Sequence, residues 1–222
     1  MPAVVFDVNE TLLDLSALDP LFERHFGDVA VRREWFALVL HCAMAITATG
    51  GYEDFSTITV ASLRALASQR HVDLHEAGVQ EIVAGMRRLP AHPEVPRALA
   101  RLRDGGLRLA ALTNSPLPMA DEQLVNAGVR HALEAVVSCS EVRRLKPAAE
   151  PYQMAAERLA IPIDEMVLVA AHGWDVAGAM AAGSRAIFVA RPGQSLLPVG
   201  RHPEFVAADI TGVADRLLGA RT

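Results

Sequence analysis

The sequence predicts an α/β protein: a parallel sheet with helices on both faces, opened after its first strand by a helical insert. Three observations carry this. A short apolar run, Ala3-Val4-Val5-Phe6, stops abruptly at Asp7, with Asn9, Glu10 and Thr11 close behind. Residues 15–91 repeat apolar side chains at helical spacing and contain no convincing strand. From His92 onward short apolar strands alternate with helices, which is how a parallel sheet covered on both faces reads.

The first run is a buried strand that delivers Asp7 to the edge of the sheet. In the insert, Leu18, Leu21, Phe22 and Phe26 recur at helical spacing, and so do Trp35, Leu38, Val39 and Cys42. Stretches 58–66 and 79–86 continue the period, and Gly27-Asp28 and Gly50-Gly51 mark turns between helices. A helix over 94–103 stops at Gly105-Gly106. A strand at 108–112 leads into the polar loop Thr113-Asn114-Ser115-Pro116, then a helix over 120–126 and a short strand at 135–137. Lys146-Pro147 precedes a helix over 151–159. A strand at 166–171, a helix over 176–182 ended by Gly183 and a strand at 186–189 follow.

Composition narrows the function classes. A chain of 222 residues is long enough for a sizeable core with a smaller insert. With 51% apolar and 21% charged residues it reads as globular rather than disordered. A net charge of −5 argues against a general nucleic-acid binder, which carries a basic face. No stretch reaches the roughly 18 apolar residues of a membrane span. Cys42 and Cys139 make neither a disulfide framework nor a metal-ligand spacing, and they read as small hydrophobes in a reducing compartment. The expectation is a soluble cytoplasmic protein with neither nucleic-acid nor membrane partners.

In such sheets the site lies at the carboxyl ends of the strands. Four polar clusters sit there: Asp7-Val8-Asn9-Glu10-Thr11, Thr113-Asn114-Ser115, Lys146-Pro147 and His172-Gly173-Trp174-Asp175. In this order they resemble the motifs of the haloacid dehalogenase superfamily, over nearly the whole chain. The resemblance implies a Rossmann-like parallel-sheet core made of 1–14 and 92–222. Residues 15–91 would form a helical cap domain inserted after the first strand. It makes Asp7 the covalent nucleophile. Lys146 keeps that carboxylate ionised and offsets charge on the ester, because a nearby ammonium favours the ionised form. Thr113 and Asn114 supply hydrogen bonds to the substrate or to Asp7, Thr11 locks the Asp7 loop, and Asp175 assists the water that resolves the ester.

The leaving group divides this superfamily. Its phosphatases read Asp-x-Asp at the first motif, and the second Asp protonates an alkoxide. Here that position is Asn9. Their fourth motif also holds an acidic pair for Mg²⁺, a hard cation that prefers carboxylates, whereas here Asp175 is the single acid. A halide leaves without a proton, so no metal and no cofactor are expected. Tyr152 six residues after Lys146, Trp174-Asp175, Gly183 and Tyr52-Glu53-Asp54-Phe55 are similar to the 2-haloacid dehalogenases.

There are also departures. Phe36 stands where those enzymes carry an arginine that grips the halide or the carboxylate. Arg32 and Arg33, one turn earlier, are the nearest substitutes, although a helix-surface arginine is the plainer reading. Asn9 replaces a tyrosine, and Ala170 and His172 replace a serine and an asparagine. The substrate-binding set is therefore Thr113, Asn114, Tyr152, His172, Trp174, Asn9 and Phe36.

The expected reaction displaces halide from a small 2-haloacid, or a similar carboxylate, to give a 2-hydroxy acid. The alternatives are ring opening of a strained, azetidine-2-carboxylate-like heterocycle with His172 as proton donor, a Mg²⁺-dependent phosphatase, and a non-catalytic binding member of the fold. His172, Trp174 and Asn114 are expected to form a compact leaving-group site, against the plainer reading that His172 caps the following helix. A homodimer is implied by the resemblance alone.

Overall fold

The computed structural model describes residues 3–219. Six parallel strands form one sheet: β1 (Ala3–Phe6), β2 (Arg108–Thr113), β3 (Ala135–Ser138), β4 (Met166–Ala170), β5 (Arg185–Val189) and β6 (Phe205–Ala207). Their order is β3-β2-β1-β4-β5-β6. All residues of β1 and β4 are buried, which explains their unbroken apolar runs. In register, Phe6 lies opposite Ala111 of β2 and Val169 of β4. From β1 the chain winds outward through β2 to β3, then returns to β4 and winds the other way. The reversal opens a crevice beyond the carboxyl ends of β1 and β4, and every motif converges there.

The crossover helices are α5 (Val95–Asp104), α6 (Leu117–Asn126), α7 (Ala149–Arg158) and α8 (Gly173–Ala181), with α9 (Ile210–Gly219) after the last strand. Helix α5 packs on α9, and α7 on α8. Between β1 and α5 the chain forms α1 (Asp19–Phe26), α2 (Val31–Ala48), α3 (Phe55–Gln69) and α4 (Glu76–Met86). Phe22 and Trp35 join α1 to α2 with ring centroids 5.2 Å apart. The Trp35 indole donates to the Thr59 carbonyl at 3.1 Å, joining α2 to α3. The chain leaves and re-enters the sheet side through two paired segments. Leu13 bridges Ala91, Asp14 N donates to Pro90 O at 2.8 Å, and His92 N to Leu12 O at 3.0 Å.

Three features differ from the sequence expectations. Helix α2 runs unbroken over 18 residues, longer than the periodic stretch around Trp35. Helix α8 begins at Gly173, so Trp174 and Asp175 sit in its first turn rather than in a loop. Strand β6 and helix α9 have no counterpart in the sequence reading. Strand β6 has three residues and buries only Ala207, too little for a period to show. Helix α9 buries Ile210, Val213 and Ala214 at helical spacing, a signal the sequence did contain.

Candidate active site

Asp7 is the first residue beyond β1. Its amide donates to Val169 O at 3.0 Å, fixing it between the two central strands. The Thr11 hydroxyl donates to Asp7 Oδ2 at 2.7 Å and accepts from Ala171 N at 2.9 Å. Thr11 thus ties the turn after β1 to the end of β4 and orients the carboxylate.

Lys146 arrives from the loop before α7 and is 1% exposed. Its three ammonium donors are all engaged, by Asp7 Oδ1 at 2.8 Å, Asp175 Oδ2 at 2.6 Å and Leu112 O at 3.1 Å. Asn114 Oδ1 accepts from Lys146 N at 2.9 Å, so the polar loop after β2 holds the lysine segment in place. Tyr152, on α7, donates to the second Asp175 oxygen at 2.6 Å. The ammonium therefore lies between the Asp7 and Asp175 carboxylates. Among the described residues no group of three or more His, Cys, Asp or Glu is arranged to hold a metal ion.

His172 stands at the start of α8, yet its side chain makes no helix-capping bond. Its Nδ1 meets Asp7 Oδ2 at 3.0 Å and its Nε2 meets Glu10 Oε2 at 2.9 Å. The ring lies between Phe36, 6.2 Å away, and Trp174, stacked at 5.3 Å. The capping role is replaced by an ion pair on each ring nitrogen.

The charges follow from burial and neighbours. Burial by itself would raise the Asp7 carboxyl, but the Lys146 ammonium and His172 hold it well below the usual carboxylate range. Burial raises Asp175, and the charge of Asp7 adds to this, outweighing Lys146 and Tyr152. Burial opposes charge on Lys146, yet Asp175 and Asp7 push its pKa above the usual lysine value. Burial also opposes charge on His172, but hydrogen bonds to Asp7 and Glu10 lift it from 6.5 to about 9. Tyr152 is pushed well up by burial and by Asp175, so it stays a neutral donor. The result is an ionised Asp7 between two cations, with a more basic carboxylate behind.

A cavity of about 20 Å³ opens on Asp7. Its polar wall is Asn9, Thr113, Asn114, Lys146 and His172, and its apolar wall is Phe36, Leu40, Phe55 and Trp174. The buried Trp174 Nε1–H has no acceptor among the described residues. A larger cleft of about 450 Å³ adjoins it, sharing Phe36 and Leu40 and lined also by Glu10, Arg32, Arg33 and Gln194.

The structure brings together Asp7, Thr11, Lys146, Asp175 and His172 as one bonded cluster. Asn9, Thr113, Asn114, Trp174 and Phe36 surround the cavity. Tyr152 needs correction as a substrate-binding residue. It does not line the cavity, because its buried hydroxyl is held by Asp175. Arg32 needs correction as a surface residue: it is 5% exposed, pairs with Asp19, and has Glu10 Oε1 at 3.8 Å. Two carboxylates therefore face its guanidinium, whereas Arg33 remains exposed. The sequence reading gave no role to Glu10, Leu40 or Phe55. Glu10 lay inside the first motif, but nothing in a linear sequence points its carboxylate at His172.

Comparison with known proteins adds an independent line. A family model described as haloacid dehalogenase-like hydrolase matches residues 1–183. Haloacetate dehalogenase H-2 of Moraxella sp. (strain B) is 28% identical over 207 residues, 91% of this chain and 92% of that protein. (S)-2-haloacid dehalogenase H-109 of Pseudomonas putida is 26% identical, covering 97% of each. The fold matches that of L-2-haloacid dehalogenase from Xanthobacter autotrophicus, solved with chloropropionic acid covalently bound. That match has a TM-score of 0.92 over 100% of both chains at 23% identity. Family model, topology and the converging motifs agree, and the chain belongs to the haloacid dehalogenase-like hydrolases.

Proposed function

We propose that this protein hydrolyses the carbon–halogen bond of a small 2-haloacid through an ester of Asp7. The single observation that carries this is the contact of Asp7 Oδ1 with Lys146 Nζ, 2.8 Å apart at the end of the central strand. It holds an ionised, desolvated carboxylate at the cavity, which is what a carboxylate nucleophile requires. An Asp7 oxygen attacks the carbon bearing the halogen. The new C–O bond forms as the C–X bond breaks, and the electron pair leaves with the halide. No proton is needed, which suits Asn9. That side chain can give none and is bonded to Ser115 and Gln123, each at 3.4 Å.

The departing halide finds N–H donors in His172 and Trp174, while Thr113 and Asn114 face the substrate carboxylate. Water then attacks the Asp7 ester carbonyl, and Asp175, made more basic by burial, receives its proton. The 2-hydroxy acid leaves with an oxygen that began on Asp7. Residues 15–91 act as a cap hinged at Leu13 and Ala91, closing the site against bulk water.

The relatives named for haloacetate and for (S)-2-haloacids support this chemistry. The apolar wall of Phe36, Leu40 and Phe55 beside Asp7 suits a short-chain acid. The same reading places the protein in the cytoplasm, consistent with its unpaired Cys42 and Cys139, as a homodimer. No helix among the described residues is long and apolar enough to cross a membrane.

The test is halide release from fluoro-, chloro- and bromoacetate and from both enantiomers of 2-chloropropionate, with and without EDTA, beside p-nitrophenyl phosphate. Release that survives EDTA is expected. Phosphate release restored by Mg²⁺, with none of halide, would overturn the reading.

A further inference from the structure

Glu10 is the one charged side chain of the first motif to which the reaction above gives no task, and its backbone is unusual. It has φ of 62°, in the left-handed region that non-glycine residues rarely adopt. Strain of this kind persists only where the surroundings hold it. Here the turn sends the carboxylate beneath His172. Glu10 Oε2 lies 2.9 Å from His172 Nε2 and accepts from Gln194 Nε2 at 2.8 Å. Glu10 Oε1 lies 3.8 Å from Arg32. His92 Nε2 meets the Glu10 carbonyl at 3.2 Å. Groups from the loop after β4, the cap helix α2, the segment before α5 and the loop after β5 therefore all fix one residue.

We propose that Glu10 is a positioning residue for the departure of the leaving group: it keeps His172 protonated and aims His172 Nδ1–H at the cavity while Asp7 is esterified. This rests on the dehalogenase reading above. In the resting site His172 is paired with two carboxylates, Asp7 and Glu10, at 3.0 and 2.9 Å. Forming the ester removes the charge of Asp7, because its attacking oxygen becomes a neutral ester oxygen and the electron pair passes to the halide. A fully buried imidazolium left with no counter-charge would lose its proton. Glu10 supplies the charge that remains. The imidazolium keeps its proton throughout and turns its Nδ1–H bond from Asp7 to the halide. In this way a cation rooted in the core stands in for the one that Phe36 removes from the cap. Phe36 and Trp174 on the two sides of the ring, and the Glu10 bond at Nε2, leave it little freedom to turn away.

The groups that set the charge of His172 are Asp7 and Glu10 by contact, with Lys146 behind Asp7 and Arg32 and Gln194 behind Glu10. The decisive measurement needs no turnover. Asp7→Asn imitates the uncharged ester, and the His172 ring is titrated by ¹⁵N NMR in Asp7→Asn and in Asp7→Asn/Glu10→Gln. In the first, His172 is expected to titrate above its ordinary 6.5; in the second, burial should carry it below that value. Identical titration in the two proteins would overturn the proposal.

In the otherwise native enzyme, Glu10→Gln should lower kcat for fluoroacetate by about tenfold to a hundredfold with KM little changed. Its alkaline limb should also move to lower pH. Glu10→Gly takes the left-handed turn without strain, so it should stay folded by circular dichroism and lose the same rate. Native kcat and an unmoved limb in both variants would also overturn the proposal. A wild-type protein that released no halide, with the NMR difference present, would instead overturn the dehalogenase reading and leave the hold of Glu10 on His172 standing.

Discussion

Lys146 Nζ stands 2.8 Å from Asp7 Oδ1, although 139 residues separate them in sequence. Both side chains are buried, and the ammonium has no donor left over. The contact is electrostatic in purpose, so its removal should be costly twice. Lys146→Met keeps the volume but leaves Asp175 without a counter-charge and Asp7 with His172 alone. The rate should fall by about 10²-fold or more. Stability should fall by about 3–5 kcal/mol, the cost of breaking a buried ion pair from one side. Halide release and urea denaturation measure the two, and a near-native rate would remove Lys146 from the mechanism.

Asp7→Asn should abolish halide release, since an amide oxygen does not displace halide. In a single turnover of native enzyme in H₂¹⁸O, the label should enter the Asp7 carboxylate and the first product should carry ordinary oxygen. Mass spectrometry of the peptide containing Asp7 reads this directly. Label found straight in the product would mean that water attacks the substrate carbon itself.

The pH dependence follows from His172. Its pKa is raised from 6.5 to about 9, so the imidazolium persists through neutral pH and is lost as pH climbs through about 9. The same shift favours the fold below pH 6.5, and that contribution fades between 6.5 and about 9. The alkaline limb of kcat should therefore lie near pH 9. It should be steeper for fluoroacetate than for bromoacetate, because fluoride is the poorer leaving group and depends more on the N–H donor. In His172→Ala the limb should disappear and fluoride release should suffer more than bromide release. Equal slowing of every halide would remove His172 from the leaving-group site.

Chain-length preference should be set by Phe36. Its ring separates the cavity of about 20 Å³ from the cleft of about 450 Å³ and lines both. Phe36→Leu opens that wall at modest cost to the core. The ratio of kcat/KM for 2-bromobutyrate over bromoacetate should rise by about tenfold, the usual worth of a methylene or two in an apolar pocket. An unchanged ratio would place the limit on chain length elsewhere, with Leu40 or Phe55.

Much of the fold could be read in advance because its signals are local. A buried central strand must be apolar on both faces, and Val4, Val5 and Phe6 satisfy this. A helix that packs on one side must repeat every three to four residues, as the insert does. Strand β6 escaped because three residues with one buried side chain have no period. The site was legible as a set of strand-end residues, and the family motifs identified Asp7, Thr11, Lys146 and Asp175. Tyr152 was recognised but misplaced: sequence marked it beside the chemistry without revealing that its hydroxyl is taken by Asp175 at 2.6 Å.

The sequence by itself determined the alternation of strand and helix, the four motifs and their order, and the loss of a proton donor at Asn9. Only the tertiary structure decided the ionic arrangement. It set Lys146 between two carboxylates, buried Arg32 against Asp19, and placed His172 between the carboxylates of Asp7 and Glu10. The physical reason is range. Helix and strand periodicity act over a few residues of chain. The charge state of a buried group is set by whatever lies within a few Å of it, and here those neighbours come from chain segments up to 165 residues apart.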